Sequence, residues 1–156
     1  DGLAALAPGE AEAILLAGMG GLLMARILSE GEAVARTAKR IVLQPQGNAA
    51  ELRTFLYESG YAIEEEAIIF DNGRYYQLIR AVNGQPHPLP RGWPEGYLEL
   101  GPVAYEDRDP LLLPLAQKYR AGHQKRLRRA QRDGYAPALL LRALAALDTI
   151  IALLEE

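Results

Sequence analysis

Four stretches of this chain hold residue types that could do chemistry. The turn Gly18-Met19-Gly20-Gly21 follows the apolar run Ala13-Ile14-Leu15-Leu16-Ala17, so a glycine-rich turn stands at the carboxyl end of a predicted strand. Open α/β sheets bind ligands at that place, where missing side chains let a cofactor approach the backbone. The same glycines would also serve tight turning and helix packing, and no dinucleotide-binding G-x-G-x-x-G pattern accompanies them. Between Gln117 and Arg132, QKYRAGHQKRLRRAQR carries Lys118, Arg120, Lys125, Arg126, Arg128, Arg129 and Arg132 with no acid among them. On a helix Lys118, Lys125, Arg129 and Arg132 fall along one stripe, able to meet successive phosphates of a polyanion; a solvated helix face is the plainer alternative. His87 and His123 lie far apart without ligand companions, and the chain has no cysteine, so no metal site is expected. Glu64-Glu65-Glu66 reads as the solvent side of a strand rather than acid/base machinery.

The elements that must position these residues follow from the hydrophobic pattern. Leu22, Leu23, Ile27 and Leu28 are apolar at helical spacing, so the glycine turn leads into a helix. A second buried-type run, Ile41-Val42-Leu43, is stopped by Pro45, and Asn48 with Glu51 makes a candidate helix cap. Leu52, Phe55 and Leu56 give that helix a core face, and Gly60 is placed to end it. Two βα units in series imply a parallel sheet. Residues 61–70 and 74–82 are rich in β-branched and aromatic types, with Asn72-Gly73 as a hairpin turn between them.

The proline-rich stretch NGQPHPLPRGWPEG then marks a boundary. A helix is expected from Asp109-Pro110, or from about Leu113 if Pro114 delays it, to Asp133-Gly134. Pro137 opens another, in which Leu140, Leu144, Leu147, Ile151 and Leu154 form a coiled-coil seam facing Leu112, Leu115, Ala116, Tyr119, Leu127 and Ala130. The organisation is thus a partial α/β domain over 1–82, a Pro/Gly-rich connection over 83–108 and a basic helical hairpin over 109–156.

With 156 residues the chain can bury one core plus an appendage. A net charge of -3 at pH 7 gives no global pull toward nucleic acid, so any such partner must be met by the local cation cluster. The absence of cysteine removes thiolate catalysis and fits a reducing, cytoplasmic setting. No run of about 18 apolar residues occurs, so no membrane span is expected.

DGLAAL at 1–6, AILLAGMGG at 13–21, RIVLQP at 40–45, AELRTFLYESGY at 50–61 and DNGRYYQLI at 71–79 together resemble the bacterial tRNA (adenine-22-N1) methyltransferases, the TrmK family. The likeness is most specific at AGMGG and LQP; many relatives have Asn after Gln-Pro, where this chain has Gln46. The resemblance implies the C-terminal half of a Rossmann-like class I methyltransferase sheet, parallel strands plus an antiparallel hairpin, followed by a coiled-coil extension that helps hold tRNA. It also implies that three βα units, roughly 90 residues at about 30 per unit, precede Asp1. The strand at Ala13 is then expected to expose an edge, which with the coiled coil offers a surface for self-association.

By the same resemblance, S-adenosylmethionine is the cofactor and tRNA the partner. Asp1 and Gly2 are expected beside the cofactor adenine, Ala17, Gly18, Met19, Gly20 and Gly21 along its methionyl part, and Gln44 and Pro45 at the target base. Lys118, Lys125, Arg129 and Arg132 are expected on RNA phosphates. A different class of function also fits: a non-catalytic RNA- or protein-binding module in which the truncated sheet is only a scaffold.

Overall fold

The computed structural model describes residues 2–156. Strand β1 spans Ala13–Met19, helix α1 Gly21–Glu30, the short α2 Glu32–Ala35, β2 Arg40–Pro45 and α3 Ala49–Glu58. The hairpin strands β3 and β4 span Tyr61–Asp71 and Arg74–Asn83, and three helices follow: α4 Pro102–Glu106, α5 Leu112–Arg132 and α6 Ala138–Glu155. The four strands form one mixed sheet in the order β1-β2-β4-β3, with β1 and β2 parallel and β4 antiparallel to both of its neighbours. The α/β class, the parallel pair, the hairpin and the C-terminal helical pair are all as expected.

One face of the sheet is packed. Ile14, Ile41, Leu43, Ile79, Ala81 and Ile63 meet Met24 and Leu28 of α1 and Leu52 and Leu56 of α3 in a single cluster. The other face carries the row Leu15, Val42, Arg80 and Glu65, and Leu15 is 70% exposed. Burying an apolar row on one side only is the pattern of a sheet whose second face meets water or another surface.

The second core lies at the root of the helical hairpin. Leu112, Leu115 and Ala116 of α5, Leu147 and Ile150 of α6, and Ala104 of α4 pack with Ile68 of β3, Trp93 and Leu100. The 83–108 stretch is therefore more than a connection, since its Trp93, Leu100 and α4 are built into this core. The seam forms as expected at Leu147, Ile151 and Leu154, with Ile150 added; toward the tip, Leu140 and Leu144 are only half-buried and Leu139 is exposed.

Two local readings need correction. Strand β1 does not stop at Ala17: it runs on through Gly18, whose φ of 75° makes a bulge, to Met19, which pairs with Pro45. Strand β2 ends at Pro45 as read, with Pro45 itself its last residue, opposite Met19, and the Gln46 N–H beyond it donates to the Met19 carbonyl at 2.9 Å. Asn48 stands at the N-cap of α3, but in the left-handed region at φ 55°, so its side chain caps no backbone N–H and instead donates to Glu51 Oε1 at 3.2 Å. The hairpin turn behaves as read, with Asn72 and Gly73 both at positive φ.

Candidate active site

A cleft of about 350 Å³ opens at the carboxyl end of β2. Gln44 to Ala49 form one wall, Arg74 to Gln77 of β4 the second, and Leu115, Lys118 and Tyr119 of α5 the third, with Glu99 at the base. The placement is dictated by topology: β4 runs against β2, so its first residues lie beside the last residues of β2, and the hairpin root closes the remaining side.

Gln44 is half-buried and its amide is engaged on both ends. Its Oε1 accepts the Gly18 N–H at 3.2 Å, and its Nε2 donates to the Pro45 carbonyl at 3.3 Å. Gln44 therefore ties the glycine turn to the cleft, and the buried Pro45 lines the cleft beside it.

The glycines have separate tasks. A Cβ on Gly21 would overlap the Asn48 carbonyl, so this residue is bare to let α1 meet the start of α3. Gly18 faces open space apart from Gln46 Nε2 at 4.0 Å, and both it and Ala17 are exposed. Exposed backbone at the end of a parallel strand is a surface along which an extended ligand can lie, so Ala17 to Gly20 fit the methionyl part of the expected cofactor. Gly2 is placed elsewhere, against Ile27, which lies six residues, or about 9 Å, along α1 from the glycine turn. Asp1 lies outside the described residues.

Of the four cations expected to form a stripe, all are exposed, but they border different surfaces. Lys118 lines the cleft, with its Nζ 5.0 Å from the Tyr75 ring centroid and 3.4 Å from the Gly73 carbonyl. Lys125 and Arg132 share a groove with Arg128, whereas Arg129 borders the opposite groove beside Arg126 and His123. Arg120 is taken out of the cluster by its ion pair with Asp148 of α6.

Sequence reasoning missed the buried group beneath the cleft. Arg53 of α3 is 1% exposed and Glu66 of β3 5%. Arg53 donates to Glu66 Oε1 at 2.6 Å, to Gln77 Oε1 at 2.7 Å and to the carbonyls of Leu98 and Glu99. Glu66 Oε2 accepts the Val103 and Ala104 N–H groups, and a Cβ on Gly101 would strike that carboxylate. Gln77 donates onward to Glu99 and to the Tyr119 hydroxyl. The reading of Glu64-Glu65-Glu66 as a solvated strand side holds for the first two, which pair with Arg80, and fails for Glu66. A bulge between Ile63 and Glu65 shifts the alternation by one residue, turning Glu66 and Ile68 to the packed face. The signal was the run itself, because three polar residues in a row cannot all lie on one side of an unbroken strand.

Among the described residues no group of three or more metal-ligating His, Asp or Glu side chains occurs, and no helix is long and apolar enough to cross a membrane.

A cleft at the carboxyl end of β2, a bare glycine turn at the end of β1 and a reversed final strand define a class, and the family comparison agrees: the chain belongs to the methyltransferase domain family, which matches residues 1–79. Within that class it is similar to the tRNA (adenine(22)-N(1))-methyltransferase of Bacillus subtilis, at 40% identity over 84 residues, 54% of this chain and 35% of the relative. The crystal structure of the B. subtilis m1A22 tRNA methyltransferase TrmK superposes with a TM-score of 0.71 at 27% identity, covering 99% of this chain and 66% of that one. Streptococcus pneumoniae Sp1610 in complex with S-adenosyl-L-methionine gives 0.79 at 28% identity over 97% of this chain and 65% of that one. The chain spans about a third of the length of the curated relatives it matches.

Proposed function

We propose that this chain carries the substrate-side wall of a cytoplasmic, S-adenosylmethionine-dependent enzyme that methylates N1 of an adenine in tRNA. The observation that carries the reading is the cleft itself: it joins the glycine turn, through Gln44, to a basic helix, so cofactor and RNA would meet at one edge of the sheet. The activity stated for the B. subtilis relative supports it.

S-adenosylmethionine, when bound, supplies an electrophilic methyl group on sulfur. Ala17, Gly18, Met19 and Gly20 are the residues we assign to its methionyl part, with Asp1 and Gly2 toward its adenine; Gly21, buried against Asn48 and Leu52, serves the packing of α1 on α3 instead. Adenine N1 already has an in-plane lone pair at neutral pH, so the chain needs no general base and its work is alignment. Gln44 and Pro45 shape the approach to the glycine turn. Because N1 is used in base pairing, the target base must be unpaired or turned out of its stack. Lys118, Lys125, Arg129 and Arg132 offset part of that cost by contacts to phosphates.

The test is methyl transfer from labelled S-adenosylmethionine to unmodified tRNA by the protein expressed from its complete gene. Nucleoside mass spectrometry should show 1-methyladenosine, and absence of transfer rules the reading out. A second reading, a non-catalytic RNA- or protein-binding module, is favoured by the half-open sheet with Leu15 and Leu22 exposed beside β1. Under either reading the 156-residue chain should bind S-adenosylmethionine more weakly than low micromolar in calorimetry, since Ala17 and Gly18 leave one side of the ligand uncovered. Low-micromolar affinity for the chain alone would overturn this expectation of weak binding.

A further inference from the structure

Tyr119 stands where the helical hairpin meets the cleft, and alignment of cofactor and N1 gives it no task. It lines the same space as Gln44 and Pro45. The Gln77 amide donates to the phenol oxygen at 3.1 Å, and Gln77 is itself pinned, its Oε1 accepting from buried Arg53. The oxygen is thus fixed while, among the described residues, nothing accepts its proton. Burial, opposed by the Gln77 hydrogen bond, pushes the Tyr119 pKa above the ordinary phenol value, so the group stays a neutral O–H donor at physiological pH. Lys118 and Arg74 stand on the rim of the same cleft, and Lys118 is held over the Tyr75 ring. A positioned O–H donor inside with two cations outside is the chemistry that receives a nucleotide, ring nitrogen inward and phosphate outward.

Resting on the methyltransferase reading above, we propose that Tyr119 reads the target base by donating its O–H to a ring nitrogen of adenine other than N1, while Lys118 and Arg74 hold that nucleotide's phosphate. The helical hairpin then supplies a base contact in the active site, in addition to any grip on the rest of the RNA. N3 and N7 are the two acceptors left on an adenine whose N1 points at the methyl group.

The experiment titrates the 156-residue chain with adenosine 5′-monophosphate and its 3-deaza and 7-deaza analogues, by ligand-observed NMR. One analogue should bind about 3- to 10-fold more weakly than the parent nucleotide, the worth of one neutral hydrogen bond. Tyr119→Phe, which keeps the ring and its packing, should weaken the parent by the same factor and abolish the difference between parent and analogue. A merely structural tyrosine would not produce that equalisation. Lys118→Gln should weaken the monophosphate and leave adenosine unchanged.

The base contact is overturned if the wild-type chain does not bind the monophosphate, if both analogues bind as well as the parent, or if Tyr119→Phe preserves the analogue's deficit. The phosphate contact is overturned if Lys118→Gln binds the monophosphate as wild type does. Failure of methyl transfer to tRNA with this binding pattern intact would overturn the proposed function alone and leave the base contact standing.

Discussion

At the scale of single residues, the informative ones are those whose environment leaves no freedom. Gln44 is half-buried with both amide ends occupied, but at 3.2 and 3.3 Å these are long bonds to a turn and a neighbouring carbonyl. Losing them should shift stability by no more than about 1 kcal/mol, whereas losing the alignment of the glycine turn should slow the reaction roughly tenfold to a hundredfold. Gln44→Ala in the intact enzyme is therefore expected to melt near wild type and to fail in single-turnover methylation of unmodified tRNA. A lowered melting temperature with normal turnover per folded molecule would restrict Gln44 to holding Gly18. Gly21 is the contrasting case, since its bare Cα is needed by the Asn48 carbonyl and by Leu52. Gly21→Ala must push α1 away from α3 and should cost about 1–3 kcal/mol in denaturant unfolding, the range of an overpacked core. Sequence reading put Gln44 at the end of a strand and Gly21 at the turn into a helix, as in β2 and α1. It could not divide the glycines into those that turn and those that pack, because that depends on what stands opposite them across two loops distant in sequence.

At the scale of elements, what sequence showed well was anything with a local period or a local turn: the βα repeats, the Asn72-Gly73 hairpin and the heptad-like seam of α6. What it concealed were features that depend on a partner element. The bulge in β3 is one, and its product, the Arg53–Glu66 pair, locks α3, β3, β4, α4 and the strand of chain at Leu98–Glu99 into one polar knot. Two exposed ion pairs on the neighbouring bulge residues, Arg80 to Glu64 and Glu65, give an internal comparison. Removing one member of a buried pair leaves an uncompensated charge, so Arg53→Met should cost about 3–5 kcal/mol. Arg80→Ala should cost about 0–1 kcal/mol, because solvent already screens its partners. Equilibrium unfolding of the two variants measures the difference, and equal small effects would show that the buried pair contributes no more than the exposed ones.

At the scale of the whole molecule, alkaline stability reports on both cores together. Tyr57, Tyr61, Tyr97 and Tyr119 all have pKa values raised above the ordinary phenol value, in each case first by burial. A phenol raised in the folded state keeps its proton while the unfolded chain loses it. The stability is thus fully present below about pH 10 and falls as pH climbs through the unfolded phenol range toward the folded values. Thermal melts should be flat from neutrality to about pH 9 and drop steeply above pH 10, with Tyr absorbance changing together with unfolding; a flat profile to pH 12 would contradict it.

The charge pattern is the other molecular property, and it decides whether the hairpin meets RNA at all. The chain as a whole is acidic, at -3, so attraction to a polyanion must come from the exposed cations of α5. Lys118, Lys125, Arg129 and Arg132 are exposed on that helix, whereas Arg120 is already paired with Asp148. Each phosphate contact releases a counterion and adds about 0.7–0.9 to the log–log slope of affinity against salt. Replacing those four with Gln should therefore flatten the slope for tRNA by up to about 3.6, whereas Arg120→Gln should leave it nearly unchanged. Because Arg129 borders a different groove from Lys125 and Arg132, single replacements also say which side of the helix the RNA follows. Loss confined to Lys125 and Arg132 would place it on one flank, and loss at all three would place it across the ridge. An unchanged slope in the fourfold variant would reduce the stripe to a solvated helix face, and the hairpin's part in catalysis would then rest on its root at the cleft.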